Sequence, residues 1–194
     1  MRRLLLVVTI LLLGLLSSSA SASGPHLSQT AYTAIDRMYG LLFRFEPPAD
    51  ADPAGAQDAL RRGVCDRLPG AGQDRQAQLV LADCAATVAA FGPIVGAGRC
   101  RTLTCLADAT VPIIRALGRS HTAEVRLAET VTGACHTLLA VDARRTARAA
   151  EAWRSVRRAA RAGSSPGVEK AFGRIRPATQ HAGGFVDRLA TCAP

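Results

Sequence analysis

One imidazole and one carboxylate lie a helical turn apart at His121 and Glu124 of this 194-residue chain, close enough to act on a single atom. A carboxylate-bridged metal site in a bundle would need Glu-x-x-His on two helices and two further glutamates. Here the order is reversed and occurs once, and no Gly-x-Ser-x-Gly, His-Glu-x-x-His or phosphate-loop motif is present. The sequence therefore predicts no metal, no cofactor and no catalytic residue, and leaves open a site assembled only in space.

The stretch 142–176 concentrates positive charge, with ten basic and three acidic residues in a chain of net charge +9. A helix carrying so many arginines could dock on an anionic lipid surface or a cell-wall polymer. Nucleic acid is the least favoured partner, because only Trp153 could stack on a base. A solvated helix face in an arginine-biased, high-GC bacterial proteome explains the same residues and is slightly favoured over docking. The proposed docking residues are Arg144, Arg145, Arg148, Arg154, Arg157, Arg158 and Arg161.

Six cysteines follow the N-terminal segment, and an even number in an exported chain predicts three disulfides out of 15 possible pairings. Structural bridges are favoured over a metal or redox site, because Cys-x-x-Cys is absent. Matching heights along antiparallel helices predicts the pairs Cys105–Cys135, Cys65–Cys192 and Cys84–Cys100.

The N-terminus has the pattern of a secretory signal, with Arg2 and Arg3 ahead of an apolar run and then small residues up to Ser23. We predict cleavage after Ala22, which leaves a single domain at 23–194 that is secreted to the periplasm or outside the cell. No later stretch is expected to span a membrane, because charged residues interrupt every apolar run.

The mature chain is rich in alanine and leucine and poor in β-branched residues, which favours helix. It shows no strand-like alternation of apolar and polar residues. Ser28, Asp52 and Asp74 are predicted to cap the first three helices. The region 94–101 is expected to be a loop, and Gly183-Gly184 a close-packing point within the final helix. The predicted helices cover 27–45, 53–68, 74–92, 104–117 with a kink at Pro112, 124–163 as one or two helices, and 168–189 with a kink at Pro177.

The long predicted helix is expected to change character along its length. Its first half should bury one face at three-four spacing, and its second half should bury a thinner stripe among the arginines. The first face comprises Leu127, Val131, Ala134, Leu138 and Val141, and the stripe comprises Ala149, Trp153, Val156 and Ala160.

Together these patterns predict an all-α, up-and-down bundle of five or six helices held by disulfides behind a cleavable signal peptide. The favoured function is that of an exported, non-enzymatic binding or interaction protein of unknown ligand. The alternative is a secreted, hydrolase-like enzyme. Two or more ionisable groups converging in one cleft would distinguish the enzyme.

Overall fold

A computed structural model describes residues 26–179 and 185–193, and the regular structure within these residues is entirely helical. The all-α prediction is therefore confirmed for this part of the chain. The proposed signal segment 1–22 and the pair Gly183-Gly184 lie outside the described residues.

The helices are numbered here in chain order, and short 3-10 turns follow α2 and α8. Their bounds are α1 Gln29–Leu42, α2 Pro53–Gly63, α3 Arg75–Gly98, α4 Leu103–Ala128, α5 Gly133–Arg161, α6 Ser165–Phe172, α7 Ile175–Thr179 and α8 Phe185–Leu189. The two 3-10 turns are Cys65–Arg67 and Ala190–Cys192.

The first three helices begin where the sequence predicts. The side chains of Ser28, Asp52 and Asp74 each accept a hydrogen bond from a backbone N–H in the first turn of the helix that follows. Such caps satisfy donors that the helix itself leaves unpaired. They depend on a few neighbouring residues, which is why local sequence is sufficient to locate them.

Helix α3 does not end at Gly92-Pro93 as predicted but continues to Gly98, so most of the expected loop is helical. Gly92 is required by packing against α2 rather than by a helix end. A Cβ atom at this position would lie 2.6 Å from the backbone oxygen of Pro53 and 2.7 Å from Gln57 Oε1. The predicted stop was wrong because the glycine permits a close approach of two helices.

The boundary between the next two helices also differs from the prediction. Helix α4 runs through Pro112 and Gly118 to Ala128, and the long helix begins at Gly133 instead of Glu124. Gly133 has φ of 63°, a left-handed conformation that glycine adopts without steric penalty. A glycine within a helix costs only about 1 kcal/mol, which is small compared with the packing of the whole of α4 against α3 and α5.

The predicted final helix is divided. Helix α6 ends at Phe172 and α7 starts at Ile175, so the break lies at Gly173-Arg174, before Pro177. The Phe172 ring packs edge-on against Trp153 of α5, with ring centroids 5.7 Å apart. This contact fixes α6 against the long helix.

Helix α4 lies between α3 and α5 and packs along both. The ring nitrogen of His121 contacts the oxygen of Ala143, and that of His136 contacts the oxygen of Ala128. In these two contacts the residue number on α4 falls as the residue number on α5 rises, so the two helices are antiparallel.

The apolar interior has two parts. One lies among α1, α3, the start of α5 and α8, and the other among α4, the end of α5 and α6. The stripe predicted in the second half of α5 is buried as expected. The first face is only partly correct, because Ala134 and Val141 are exposed and Cys135, Leu139 and Ala143 are buried in their vicinity.

The disulfides join Cys65 to Cys84, Cys100 to Cys105 and Cys135 to Cys192. Every predicted pair is therefore wrong, namely Cys105–Cys135, Cys65–Cys192 and Cys84–Cys100. The height argument assumed a short fourth helix, whereas Cys105 lies in the first turn of a 26-residue helix. That cysteine is about 35 Å along the axis from the turn that leads to Cys135.

The observed bridges join neighbouring elements. They link the turn after α2 to α3, close the α3–α4 connection, and attach the C-terminal turn to the start of α5. Three intramolecular disulfides are consistent with an oxidising extracellular or periplasmic compartment.

Helix α3 bears on the expectation that no stretch after the N-terminal segment spans a membrane. Among the described residues, this one helix is long and apolar enough to cross a membrane. The core helix of a soluble protein meets the same criterion. Here α3 packs against α1, α2 and α4 and carries the buried carboxyl group of Asp83.

Candidate functional site

Polar side chains converge inside the bundle, where α1, α3, α4 and α5 meet. They stand at positions that are otherwise apolar along the inward faces of their helices, so helical periodicity directs them toward one another. Each of these residues is 9% exposed or less, and they are Tyr39, Asp83, Ser120, Glu124, Asp142 and Thr146. We call this group, together with Arg145, the acidic cluster.

Each carboxyl group of the acidic cluster has a hydroxyl partner on another helix. Ser120 Oγ donates to Asp83 Oδ1 at 2.5 Å, and Thr146 Oγ1 donates to Glu124 Oε1 at 2.8 Å. The Tyr39 hydroxyl donates to Asp142 Oδ2 at 2.7 Å. These bonds join α4 to α3, α5 to α4 and α1 to α5, so the cluster couples the four helices.

Asp142 also forms an ion pair with Arg145, one turn further along α5, with 2.5 Å between Oδ1 and Nη2. The Arg145 side chain is 13% exposed. One guanidinium thus accompanies three carboxyl groups in the interior. Unless protons or another cation are present, the cluster carries an excess of buried negative charge, which is costly in a low-dielectric environment.

Within the described part of the chain, one carboxyl oxygen of Glu124 is left without a hydrogen-bond partner. Its Oε2 is fully buried and has no hydrogen-bond partner among the described residues. Buried polar atoms of folded proteins usually have a partner. Glu124 also lines a cavity of about 210 Å³ that is partly open to solvent. We call this space the acidic cavity.

The acidic cavity combines carboxyl groups with apolar walls. Its other lining residues are Met38, Tyr39, Leu42, Asp83, Thr87, Leu117, Ser120, Arg145, Thr146 and Ala149. On the other side of the cluster, a second cavity of about 20 Å³ is lined mainly by apolar residues and is of the size that holds one water. The larger space exceeds the needs of one water and could hold a small organic molecule.

Burial dominates the acid–base properties of the cluster. Burial and, to a lesser extent, the charges of Asp83 and Asp142 raise the pKa of Glu124 to about 9, against the opposing effects of the bond from Thr146 and the charge of Arg145. Burial likewise raises the pKa of Asp83 to about 7 against the opposing bond from Ser120. Glu124 is therefore protonated at neutral pH, and Asp83 is close to its midpoint.

Tyr39 remains neutral over the same range. Burial raises its pKa well above 10, and the neighbouring charge of Asp142 acts in the same direction. The phenol therefore stays a hydrogen-bond donor to Asp142 at any pH at which the fold is expected to persist.

His121 and Glu124, which the sequence places one helical turn apart, have different partners in the structure. His121 Nδ1 lies 2.9 Å from the backbone oxygen of Ala143, whereas the Glu124 carboxyl group bonds to Thr146 in the interior. No group of three or more histidine, cysteine or acidic side chains in the described residues is placed to hold a metal ion. The contacts within the acidic cluster are hydrogen bonds and one ion pair.

The seven arginines of the predicted docking site are not equivalent. Arg145 points inward to Asp142, and Arg154 and Arg158 both bind Glu151 on the surface. Arg157 is half-buried. The remaining exposed arginines, for which the described residues provide no ion pair, are Arg144, Arg148 and Arg161.

A further basic surface lies outside the predicted stretch. Arg115, Arg119 and Arg126 line an open groove of about 370 Å³ between α3 and α4, and none of them forms an ion pair with a described residue. A count of charges by region does not reveal this groove. Outside 142–176 the positive charges of residues 23–194, including those of these arginines, are balanced by negative charges elsewhere in the chain.

The acidic cluster was also missed from sequence, apart from Glu124. Asp83 lies next to Cys84 in an apolar helix, and Asp142 lies three residues before Arg145. A charged residue at a core position of a helical face is a signal that could have indicated burial. It could not have shown that three such residues meet.

No protein-family model matches the chain, and neither the curated proteins nor the solved structures include a match.

Proposed function

We propose that this protein is an exported, non-enzymatic binding protein whose ligand site is the acidic cavity. Residues 1–22 are removed as a secretory signal, and 23–194 form one up-and-down helical bundle that works in the periplasm or outside the cell. The observation that carries the binding function is the buried, unpartnered Glu124 Oε2 on the wall of a cavity of about 210 Å³. A concave apolar site with a few convergent polar groups is the usual form of a small-molecule site.

The test is ligand-observed NMR of a small-fragment library, with a variant that fills the cavity. Ala149 lines the cavity and Ala147, on the same helix, does not. We expect fragments to bind the unmodified protein and the Ala147→Leu control, and to lose most of their binding in Ala149→Leu. A library without binders, or equal binding by both variants, would overturn the proposal.

The same protein is proposed to dock on anionic surfaces through the arginine-rich stretch of α5. The supporting observation is that Arg144, Arg148 and Arg161 are exposed without a neutralising acid among the described residues. A lipid surface or a cell-wall polymer would then hold the protein near its ligand. The contribution of Arg145 to this docking is the weakest, since it is engaged with Asp142.

A secreted hydrolase-like enzyme is the second candidate, and one observation favours it. Ionisable groups do converge in a cleft, and a protonated Glu124 near Asp142, which is paired with Arg145, resembles an acid and base pair whose environments separate their roles. The lining hydroxyls of Ser120 and Thr146 donate to Asp83 and Glu124, and His121 bonds to the backbone of Ala143 instead of to either hydroxyl. Turnover of small chromogenic esters or glycosides that is lost in Glu124→Gln would establish the enzyme over the binding protein.

A further inference from the structure

The acidic cavity has a charge balance that selects its ligand. Three carboxyl groups share one guanidinium, and Arg145 is already paired with Asp142. Asp83 and Glu124 each receive only a hydroxyl hydrogen bond. Two buried acids therefore lack a compensating cation, and a positively charged group entering between them would supply it.

The remaining lining sets the size and the polarity of the rest of the ligand. Met38, Leu42 and Leu117 present apolar walls, and Ala149 leaves room next to them. A volume of about 210 Å³ suits a short aliphatic chain and excludes a polymer. The complementary molecule is small, with a cationic end at the carboxyl groups and an apolar end against these side chains.

We propose that the acidic cavity binds a compact organic cation of the primary-amine class, held by Glu124 and Asp83, and that binding releases a proton from the cluster. This inference rests on the proposed ligand-binding function and specifies its ligand. The balance is simple: the ammonium group enters charged, one carboxyl proton leaves to solvent, and an ion pair replaces a protonated carboxyl group.

The groups that face Glu124 determine how the affinity depends on pH. They are Tyr39 on α1, Asp83 on α3, and Asp142 and Arg145 on α5, with His121 one turn earlier on its own helix and bonded outside the cavity. Burial raises the pKa of Asp83 to about 7 and contributes most to raising that of Glu124 to about 9. A primary ammonium group, like that of lysine, stays charged throughout this range.

Amine affinity must therefore rise with pH. Below pH 7 both acids are protonated, and the ligand has to displace a proton before it can form an ion pair. As the pH rises, Asp83 loses its proton around pH 7 and Glu124 is half deprotonated near pH 9, so this cost falls. A neutral ligand of the same size has no such dependence.

The experiment is isothermal titration calorimetry with n-butylammonium, n-butanol and butyrate at pH 6, 7.5 and 9, in buffers of different ionisation enthalpy. We expect butylammonium to bind at least tenfold more tightly at pH 9 than at pH 6 and to release up to one proton at pH 7.5. Butanol should bind more weakly without pH dependence, and butyrate should bind least.

Two matched variants locate the effect. Glu124→Gln keeps the side-chain shape and should weaken butylammonium binding at pH 9 and reduce the increase in affinity with pH. Glu129→Gln, at the exposed residue that follows the same helix, should change neither. Asp83→Asn serves as a second cavity variant if Glu124→Gln does not fold.

The outcomes separate the two proposals. Equal affinity for butanol and butylammonium without proton release, or tightest binding by butyrate, would overturn the cation class and leave the cavity as a ligand site. If none of the three probes binds, both this inference and the proposal that the acidic cavity binds small ligands are wrong.

Discussion

At the scale of single residues, Glu124 links folding to pH. Its pKa is about 9 in the folded protein and close to 4.5 in an unfolded chain, so the folded state holds a proton that the unfolded state loses between these values. Stability is then greatest below pH 4.5 and falls as the pH rises toward 9. Asp83 acts in the same direction up to about pH 7. Urea unfolding at pH 5, 7 and 9 should show a loss of about 1 kcal/mol per pH unit between pH 7 and 9, and about twice that loss between pH 5 and 7, where Asp83 adds to it.

The variant Glu124→Gln isolates this contribution, because the amide cannot ionise and still accepts the bond from Thr146 through its oxygen. We expect this variant to be more stable than the unmodified protein at pH 9 and to lose its advantage near pH 5. The exposed Glu129→Gln control corrects for the change in net charge. Parallel pH profiles for Glu124→Gln and the unmodified protein would show that Glu124 is not held protonated.

At the scale of helices, two glycines distinguish close packing from helix propensity. Gly92 and Gly118 both lie within long helices, but an added Cβ would approach Pro53 at the first and meet nothing within 4 Å at the second. Gly118→Ala should therefore stabilise by up to about 1 kcal/mol. Gly92→Ala should destabilise by about 1–3 kcal/mol, because α2 must move away from α3.

Thermal and urea unfolding of the two variants measures this difference directly. The two substitutions are chemically the same, so the propensity gain is shared and the sign of the difference reports the α2–α3 contact. Stabilisation by both substitutions would mean that α2 leaves room for a Cβ atom at Gly92, against the close approach of Pro53.

At the scale of the whole molecule, the position of the arginines decides whether the positive charge is a docking surface. Arg144 and Arg148 lie one turn apart and exposed on α5, and Arg115 and Arg119 have the same spacing and exposure on α4. Double substitution of either pair by glutamine removes the same charge. If α5 docks, replacing Arg144 and Arg148 should weaken binding to anionic vesicles by about 2 kcal/mol, or about 30-fold.

Co-sedimentation with anionic and neutral vesicles at low and high salt measures the effect, and salt should release the unmodified protein. The Arg115 and Arg119 variant should retain more of its binding than the α5 variant. Equal losses in the two variants would indicate general electrostatic attraction, and equal binding to neutral vesicles would remove the role of charge.

The sequence by itself determined the helical class, the helix starts at Ser28, Asp52 and Asp74, and the buried stripe of Trp153 and Val156. These features depend on residues within a turn or two of one another. A cap needs only the first backbone N–H groups of its own helix. A buried stripe needs only the helical period.

Only the tertiary structure decided that Gly92 and Gly118 lie inside helices, that Cys135 bonds to Cys192, and that Asp83 meets Glu124. Each depends on which helix lies beside which, and at what height. A glycine or proline is a weak local stop that long-range packing can override, and a shift in one helix boundary moves a cysteine by many ångströms. The acidic cluster exists because four helix faces are brought together, which no single segment of the chain encodes.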